Sequence, residues 1–561
     1  MKLFLLRTVI FLLLLSGTAK YVQAQTIGAG DLVFTGINIF DDDNFGTLQN
    51  DVFSFVLLRD CPANTTIYFT DLGWTGSGFQ SLACAANASQ TDGVIQWSSG
   101  AAVIRAGQQV VISCKYSPIA TIGTVTPVSP TLATNANPAP SREYISLGLA
   151  GDQLFAFTGS VGAPTLIGGI NVNRKTWEAS LAACDFTSSS SVKPATTAVL
   201  DFPSINAVNA RYNCSTVFGV PASLRSEIQD TTKWDKDYTL STSFPSSFNL
   251  KTMPPCNLSV VVPDANGIVY VNNQSPTPGS GTSWSMPLPE LRDALAATAI
   301  ANNGISQIWV AKGTYKPTTT TNRAASFNIS FSVSVYGGFA GNETTLAARN
   351  IPANPVILSG DIDNNDVLTN GIVLRASDIR GNNSYHVITV AGASSQQVLD
   401  GVIITGGNSN LSPASFYMFG GGIYSSAGDI TITNTRFYGN NAIMAAGGLY
   451  NSGGNVQLSN CVFFGNSSGY QAGAVEGAGG TLKLTNVSIS GNTTLNGGGG
   501  LAVSLGNFVA YNTIISGNTS TNNQGDTYLY GSGTKDMYYS ILGDQYYTNT
   551  STQQPTAAVT F

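Results

Sequence analysis

Charged residues are scarce in this sequence. Only 10% of its 561 residues are Asp, Glu, Lys or Arg, whereas glycine alone occupies 60 positions. Helical bundles need charged faces and leucine-rich stripes, so this composition argues against them and favours β-structure with many tight turns. Lysine and arginine together number 25, against 31 acidic residues. The balance leaves no electrostatic case for binding nucleic acid.

Histidine is almost absent, since His386 is the single one in the chain. Ser-His-Asp triads, histidine-based metal sites and histidine general bases are therefore excluded unless this one residue serves. His386 lies in a strand-like stretch, and we predict a structural role for it.

Long hydrophobic runs are missing after the N-terminus, so no transmembrane helix is expected. Residues 1–24 combine a basic start, a short apolar run and small residues before Gln25, which is typical of a secretory signal peptide. Removing this segment, with Lys2, Arg7 and Lys20, would take the net charge from −6 to −9. We predict a protein that is secreted or held at the cell surface, in association with an outer membrane.

The seven cysteines are unevenly placed. Six of them precede residue 260, namely Cys61, Cys84, Cys114, Cys184, Cys214 and Cys256. In an oxidising compartment they allow up to three disulfides, and their spacing leaves the pairing open. Cys461 occupies a predicted inward position and is expected to be a buried free thiol.

A period of 26 residues dominates the second half of the chain. Three columns of residues keep this spacing: Gly439, Gly465, Gly491, Gly517 and Gly543; Asn434, Asn460, Asn486 and Asn512; and Gly421, Gly447, Gly473 and Gly499. Apolar residues alternate with polar ones between the columns, as they do in strands. The period predicts a solenoid of three strands and three corners per turn, with turns about 4.8 Å apart. We expect the Asn434 column to form an inward amide ladder and the glycines to adopt positive φ at the corners.

These repeats resemble the right-handed parallel β-helix proteins of the pectate-lyase-like superfamily. The Gly-Gly-Ile and Phe-x-Gly-Asn motifs are also similar to those of polymorphic outer-membrane proteins. Upstream, residues 269–271 and 291–295 look like the entry strand and capping helix, and residues 308–315 look like the first turn. The resemblance implies the fold and export, but the superfamily includes lyases, hydrolases, adhesins and inert scaffolds, so it implies no particular activity.

We therefore predict an all-β chain with two domains. The expected segments are a signal peptide (1–24), an antiparallel β-sandwich-like domain (25–250), a linker (251–268), a right-handed parallel β-helix (269–545) and a tail (546–561). A β-helix end exposes a strand edge and apolar core. We thus expect the C-terminal end to need a cap or a further domain.

The acidic loop after Ser359 is the best metal candidate. Asp361, Asp363 and Asn365 place oxygen atoms at alternate positions, an arrangement that suits Ca²⁺. The loop departs from the EF-hand pattern, because Asp366 stands where that pattern needs glycine. A weak calcium site and a solvated acidic turn both stay open.

Outward aromatic residues are the second candidate site. Tyr424 and Tyr450 form one predicted pair a turn apart, and Tyr438 and Phe464 form another. Flat exposed rings can receive sugar rings, although ordinary stacking between turns is the alternative.

The sequence offers little support for catalysis. A lyase would need clustered acidic ligands beside a basic residue, and a hydrolase would need converging carboxylates. The charged residues of the regular turns share no register, and Glu476 is interpreted as a solvated side chain. We predict a structural or adhesin-like binding protein whose partner is a polysaccharide or cell-surface glycan. A polysaccharide lyase or glycoside hydrolase is the alternative.

Overall fold

The computed structural model divides the chain into two compact units. One contains Met1–Ser215 and Ile228–Asn257, and the other contains Thr216–Glu227 and Leu258–Phe561. The described residues are 26–38, 51–81, 93–114, 118–129, 145, 147, 153–172, 177–184, 191–195, 198–202, 209–237, 256–392, 397–411, 416–522, 525–548 and 559–560. The predicted signal peptide lies outside them.

The described residues of the first unit form two six-stranded sheets. In spatial order, the first sheet consists of Trp234–Asp237, Asn209–Tyr212, Leu32–Asn38, Val52–Leu57, Gln109–Ser113 and Ile119–Ala120. The second consists of Val199–Asp201, Ala163–Asn171, Gln153–Ser160, Thr66–Thr70, Val94–Ser98 and Thr124–Ser129. Neighbouring strands are antiparallel, except that Val199–Asp201 runs parallel to Ala163–Asn171.

Aromatic side chains from both sheets form the core of this unit. Phe34, Phe53 and Phe55 of the first sheet contact Phe69 of the second, with ring centroids 4.9 to 6.2 Å apart. Phe55 also contacts Trp97 edge to face. These rings are buried and join the two inner faces, so the predicted sandwich is confirmed.

The first unit contains disulfide bonds, as predicted. Cys214 is bonded to Cys256, and Cys184 is also disulfide-bonded. Cys61 and Cys114 are buried thiols.

The second unit opens with short elements that precede its solenoid. Strand Phe218–Gly219 pairs with Ser259–Val260. Helix α1 spans Pro221–Gln229 and helix α2 spans Leu291–Thr298. Helix α2 buries its apolar stripe in the solenoid core, as the resemblance implied for a capping helix. Single 3₁₀ turns of this unit occur at Leu346–Ala348, Ala376–Asp378 and Phe416–Met418, and the first unit contains another at Thr231–Lys233.

The solenoid is a parallel β-helix, and its described residues form four sheets. Sheet one contains Ile268–Val271, Gln307–Ala311, Ser334–Phe339, Gln397–Asp400, Ile430–Thr433, Asn455–Ser459, Thr481–Thr485, Asn507–Tyr511 and Lys535–Tyr538. Sheet two contains Gly313–Tyr315, Val356–Ser359, Ile403–Thr405, Arg436–Tyr438, Val462–Phe464, Ser488–Ser490, Ile514–Ile515, Ile541–Leu542 and Val559–Thr560. Sheet three contains Phe327–Ile329, Ile388–Val390, Ile423–Ser425, Leu449–Asn451, Val475–Gly477, Leu501–Val503, Thr527–Tyr530 and Gln545–Thr548. Sheet four contains Asn408–Ser409, Asn441–Ala442, Ser467–Ser468, Thr493–Thr494 and Thr519–Ser520.

The predicted register is confirmed. Ile423 pairs with Leu449, and Leu449 pairs with Val475, so equivalent inward residues lie directly above one another. The inward rings of Phe437 and Phe463 stack with their centroids 4.2 Å apart. Sheet four was not predicted, because its two-residue strands are too short to show alternation.

The inward amide ladder is formed by a different asparagine column from the one predicted. Asn440, Asn466 and Asn492 are fully buried. The side-chain oxygen of Asn466 accepts from the backbone and side-chain amides of Asn440, at 3.1 and 3.0 Å. Asn466 donates in turn to Asn492, at 2.9 Å. The ladder continues through Asn518, which donates to Asp526.

The prediction for the Asn434 column was therefore wrong. Asn434, Asn460 and Asn486 have φ between 48° and 55°, a left-handed conformation that asparagine tolerates better than most residues. These residues turn the chain out of sheet one, so their side chains bond to one another along the outer surface, at 3.2 to 3.3 Å. The prediction of positive φ for the glycines is confirmed at Gly439, Gly465, Gly491 and Gly517, which precede the inward asparagines. It was wrong for the other glycines of the two columns, which do not have positive φ: Gly543, Gly421, Gly447, Gly473 and Gly499.

Candidate ligand-binding face

The outward side chains of sheet three form a continuous column. Tyr424, Tyr450, Glu476, Ala502 and Tyr528 pair with one another from turn to turn, and we call these five residues the outer column. Each lies between two inward residues of its strand, because successive side chains of a strand point to opposite sides.

Two tyrosines of the outer column form a parallel aromatic pair. The rings of Tyr424 and Tyr450 have centroids 5.8 Å apart and planes only 7° apart. Both side chains are partly exposed. The predicted pair is therefore present as two flat rings at the surface.

Further rings surround this pair. His386 stacks on Tyr424 at 5.2 Å, and Phe419 contacts Tyr450 at 4.7 Å. Phe416 also contacts Tyr424, and 46% of Phe416 is exposed. The face therefore presents an aromatic surface larger than the predicted pair.

His386 supports this surface from beneath. It is buried, and its Nδ1 donates to the carbonyl oxygen of Gly420 at 2.9 Å. Burial lowers the pKa of His386 to about 4, so the imidazole is neutral at ordinary pH. This position supports the structural role predicted for it.

The interpretation of Glu476 as a solvated side chain was wrong. Only 3% of it is exposed, and its Oε2 finds no hydrogen-bond partner within the protein. Burial raises the pKa of Glu476 to about 8. The carboxyl group is therefore mostly protonated at neutral pH and can donate a hydrogen bond.

Two tyrosine hydroxyl groups lie near this carboxyl group. Burial raises the pKa of Tyr450, and the charge of Glu476 raises it further. The same two causes raise the pKa of Tyr530. The Tyr530 hydroxyl also donates to Oε1 of Gln471 at 3.1 Å. Glu476 is thus buried in the outer column, where its strand partners on the adjacent turns are Tyr450 and Ala502.

The second predicted aromatic pair lies on another face. Tyr438 and Phe464 belong to sheet two, where their rings meet edge to face at 6.5 Å. The structure therefore does not bring the four predicted ligand-binding residues into one site.

The predicted calcium loop satisfies part of its own polar groups, but Oδ1 of Asp363 is buried without a hydrogen-bond partner. Asp361 is buried, and its Oδ1 accepts from the backbone amide of Asn365 at 3.1 Å. Asp363 accepts from the backbone amide of Asn382 at 2.8 Å. The ammonium group of Lys316 lies 3.8 Å from the Asp361 carboxylate. Over the described part of the chain, no three His, Cys, Asp or Glu residues form a group that could hold a metal ion. Calcium binding at Asp361, Asp363 and Asn365 stays a prediction.

Comparison with known proteins finds no matching family model, no similar curated protein and no similar solved structure. The fold alone defines the class: the second unit is a parallel β-helix. In the described residues, no helix is long and apolar enough to cross a membrane.

Proposed function

We propose that this chain is a secreted or cell-surface binding protein whose β-helix presents the outer column to a neutral polysaccharide. Within the pectate-lyase-like superfamily it would be an adhesin-like member rather than an enzyme. The observation that supports this most is the parallel Tyr424–Tyr450 pair on the surface of sheet three.

Sugar rings stack on such a pair because their C–H groups meet the negative face of the aromatic ring. Equivalent residues repeat about every 4.8 Å along a β-helix, which is similar to the advance of one sugar ring along an extended polymer. The acidic net charge of −6 for the full sequence disfavours anionic polymers. These points favour a neutral chain aligned with the β-helix axis.

One observation favours the enzymatic alternative. Glu476 is protonated at neutral pH, as a general acid of a glycoside hydrolase would be. Such enzymes need a second carboxylate about 5 to 10 Å away. Burial is the one cause that raises the pKa of Glu476, so no second carboxylate among the described residues acts on it. A lyase or hydrolase is therefore the weaker candidate.

Tyr450→Ala should weaken binding to a neutral polysaccharide at least tenfold, about 1.4 kcal/mol, because it removes one ring of the pair. Affinity electrophoresis of the wild-type chain and the variant in gels containing β-glucan, mannan or chitin derivatives measures this. Tyr450→Phe keeps the ring and should retain binding.

Tyr438→Ala is the matched control, because it removes an outward tyrosine from sheet two and should leave retardation unchanged. Equal losses from Tyr438→Ala and Tyr450→Ala would contradict a site on sheet three. The same samples are assayed for reducing ends, and their release by the wild-type chain would favour the enzyme instead.

A further inference from the structure

Two non-aromatic residues interrupt the aromatic surface of the outer column, yet this gap is not open to solvent. Between Tyr450 and Tyr528 lie Glu476 and Ala502, and Ala502 is fully buried although it points outward. A methyl group on the outside of a β-helix loses all its exposure only when another side chain lies over it.

Tyr530 is the side chain placed to cover the gap. It follows Tyr528 by two residues and therefore projects from the same side of the strand. Its ring stacks on Tyr528 with centroids 4.5 Å apart, and its hydroxyl reaches back to Gln471 at 3.1 Å. The charge of Glu476 also contributes to the raised pKa of Tyr530.

Tyr530 is held in this position by its stack on Tyr528 and by hydrogen bonds with Gln471 and Ser504. A hydrogen bond between two side chains contributes about 1 kcal/mol, and an aromatic stack contributes a similar amount. Exposed and partly exposed side chains change rotamer on the nanosecond timescale. Tyr530 can therefore leave the gap at little cost when a ligand offers replacement contacts.

Beneath Tyr530, Glu476 has an unused hydrogen-bonding capacity. Its Oε2 is buried without a partner in the protein, and such a group costs about 1 to 3 kcal/mol. A ligand hydroxyl that entered the gap would satisfy it.

We propose that Ala502 is the floor of a sugar subsite between Tyr450 and Tyr528, that Glu476 supplies its hydrogen bond, and that Tyr530 is its lid. This inference rests on the proposed function and names the part of the face that selects the ligand. Three turns separate Tyr450 from Tyr528, about 14 Å. That span accommodates two sugar rings between the two flanking tyrosines.

The ligand class follows from the chemistry of this gap. A protonated carboxyl group between aromatic rings suits hydroxyl groups and does not attract a cation. A neutral hexose polymer therefore fits better than a polyamine or a uronate polymer.

Isothermal titration with cellohexaose, laminarihexaose and mannohexaose tests the lid and its floor. Tyr530→Ala should raise the affinity for the hexasaccharide that binds by about fivefold, because the lid no longer competes. Ala502→Leu should lower this affinity at least tenfold by filling the gap.

Tyr538→Ala, which removes a ring stacked on Tyr511 outside sheet three, is the control and should leave the affinity unchanged. Circular dichroism verifies that each variant is folded, and Ala502→Ser provides a smaller substitution that should keep binding.

The outcomes separate this inference from the proposed function. Loss of binding in Tyr450→Ala, with Tyr530→Ala and Ala502→Leu unchanged, would overturn the subsite and leave the binding face standing. No binding by the wild-type chain or by Tyr530→Ala would overturn both. An affinity that falls in Tyr530→Ala would make this tyrosine a contact rather than a lid.

Discussion

Replacing Asn466 by alanine should lower the free energy of unfolding of the β-helix by about 3 to 5 kcal/mol. The Asn466 side chain accepts from two amide groups of Asn440 and donates to Asn492 and to the carbonyl of Phe437. All of these groups lie in the interior, where an unpaired donor or acceptor costs about 1 to 3 kcal/mol. Alanine would leave several of them unpaired at once.

Urea unfolding measures the loss of stability, and hydrogen exchange of the peptides around Asn440 and Asn466 shows whether the ladder itself opens. Asn460→Gly is the matched control, because glycine keeps the positive φ of that corner and the Asn460 bond lies on the outer surface. We expect it to change stability by no more than about 1 kcal/mol. A loss below 1 kcal/mol for Asn466→Ala would contradict a structural role for the ladder.

The period of the sequence was sufficient to predict the core of the β-helix. The residues that alternate at 26-residue spacing, such as Ile423 and Leu449, are buried and paired as expected. Stacking identical positions is a local rule repeated many times, so the sequence pattern carries the whole architecture.

Whether an individual polar side chain faces the interior or the outer surface was harder to predict. Two asparagine columns keep the same spacing, and the sequence alone does not say which one faces inward. The backbone decides it: Asn460 itself has positive φ and turns outward, whereas Asn466 follows a glycine with positive φ and turns inward. Dihedral angles at a corner are set by the packing of neighbouring turns, which spacing does not show.

Glu476 could have been found in part from the sequence. Tyr424, Tyr450, Glu476, Ala502 and Tyr528 share one register at 26-residue spacing, which already places a carboxyl group among tyrosines. Its burial could not be predicted, because Tyr530 lies two turns further along the chain and reaches back to Gln471. A contact between non-adjacent turns leaves no periodic signal.

Glu476→Gln should stabilise the protein at neutral pH, by roughly 3 kcal/mol at pH 7. The pKa of this group is about 8 in the folded chain, compared with 4.5 for an unperturbed glutamate. Below pH 4.5 Glu476 is protonated in both the folded and the unfolded chain, so its ionisation does not change the free energy of unfolding. Between pH 4.5 and 8 the unfolded chain releases a proton that the folded chain keeps, so stability falls as the pH rises. Above pH 8 Glu476 is ionised in both the folded and the unfolded chain, so the destabilisation that it causes no longer changes with pH.

Thermal unfolding of wild type and Glu476→Gln at pH 4.5, 6 and 7.5 measures this difference. The two melting temperatures should coincide at pH 4.5 and separate progressively as the pH rises. The facing groups Tyr450 and Tyr530 are neutral throughout this window, because burial raises the pKa of each above that of an ordinary tyrosine. The Gln471 side chain does not titrate, so we attribute the change in stability between pH 4.5 and 8 to Glu476.

Glu343→Gln provides a control of opposite sign. Partial burial would raise the pKa of Glu343, but backbone amides of Ala340, Gly341 and Asn342 donate to its carboxylate and together lower it. The ionised form therefore stabilises the fold, and this stability is lost as the pH falls through the folded pKa. Glu343→Gln should accordingly destabilise the protein at pH 7.5 and have little effect in acid. Parallel pH profiles for the two variants would mean that Glu476 is solvated and ionised, and would remove the protonated carboxyl group from the proposed subsite.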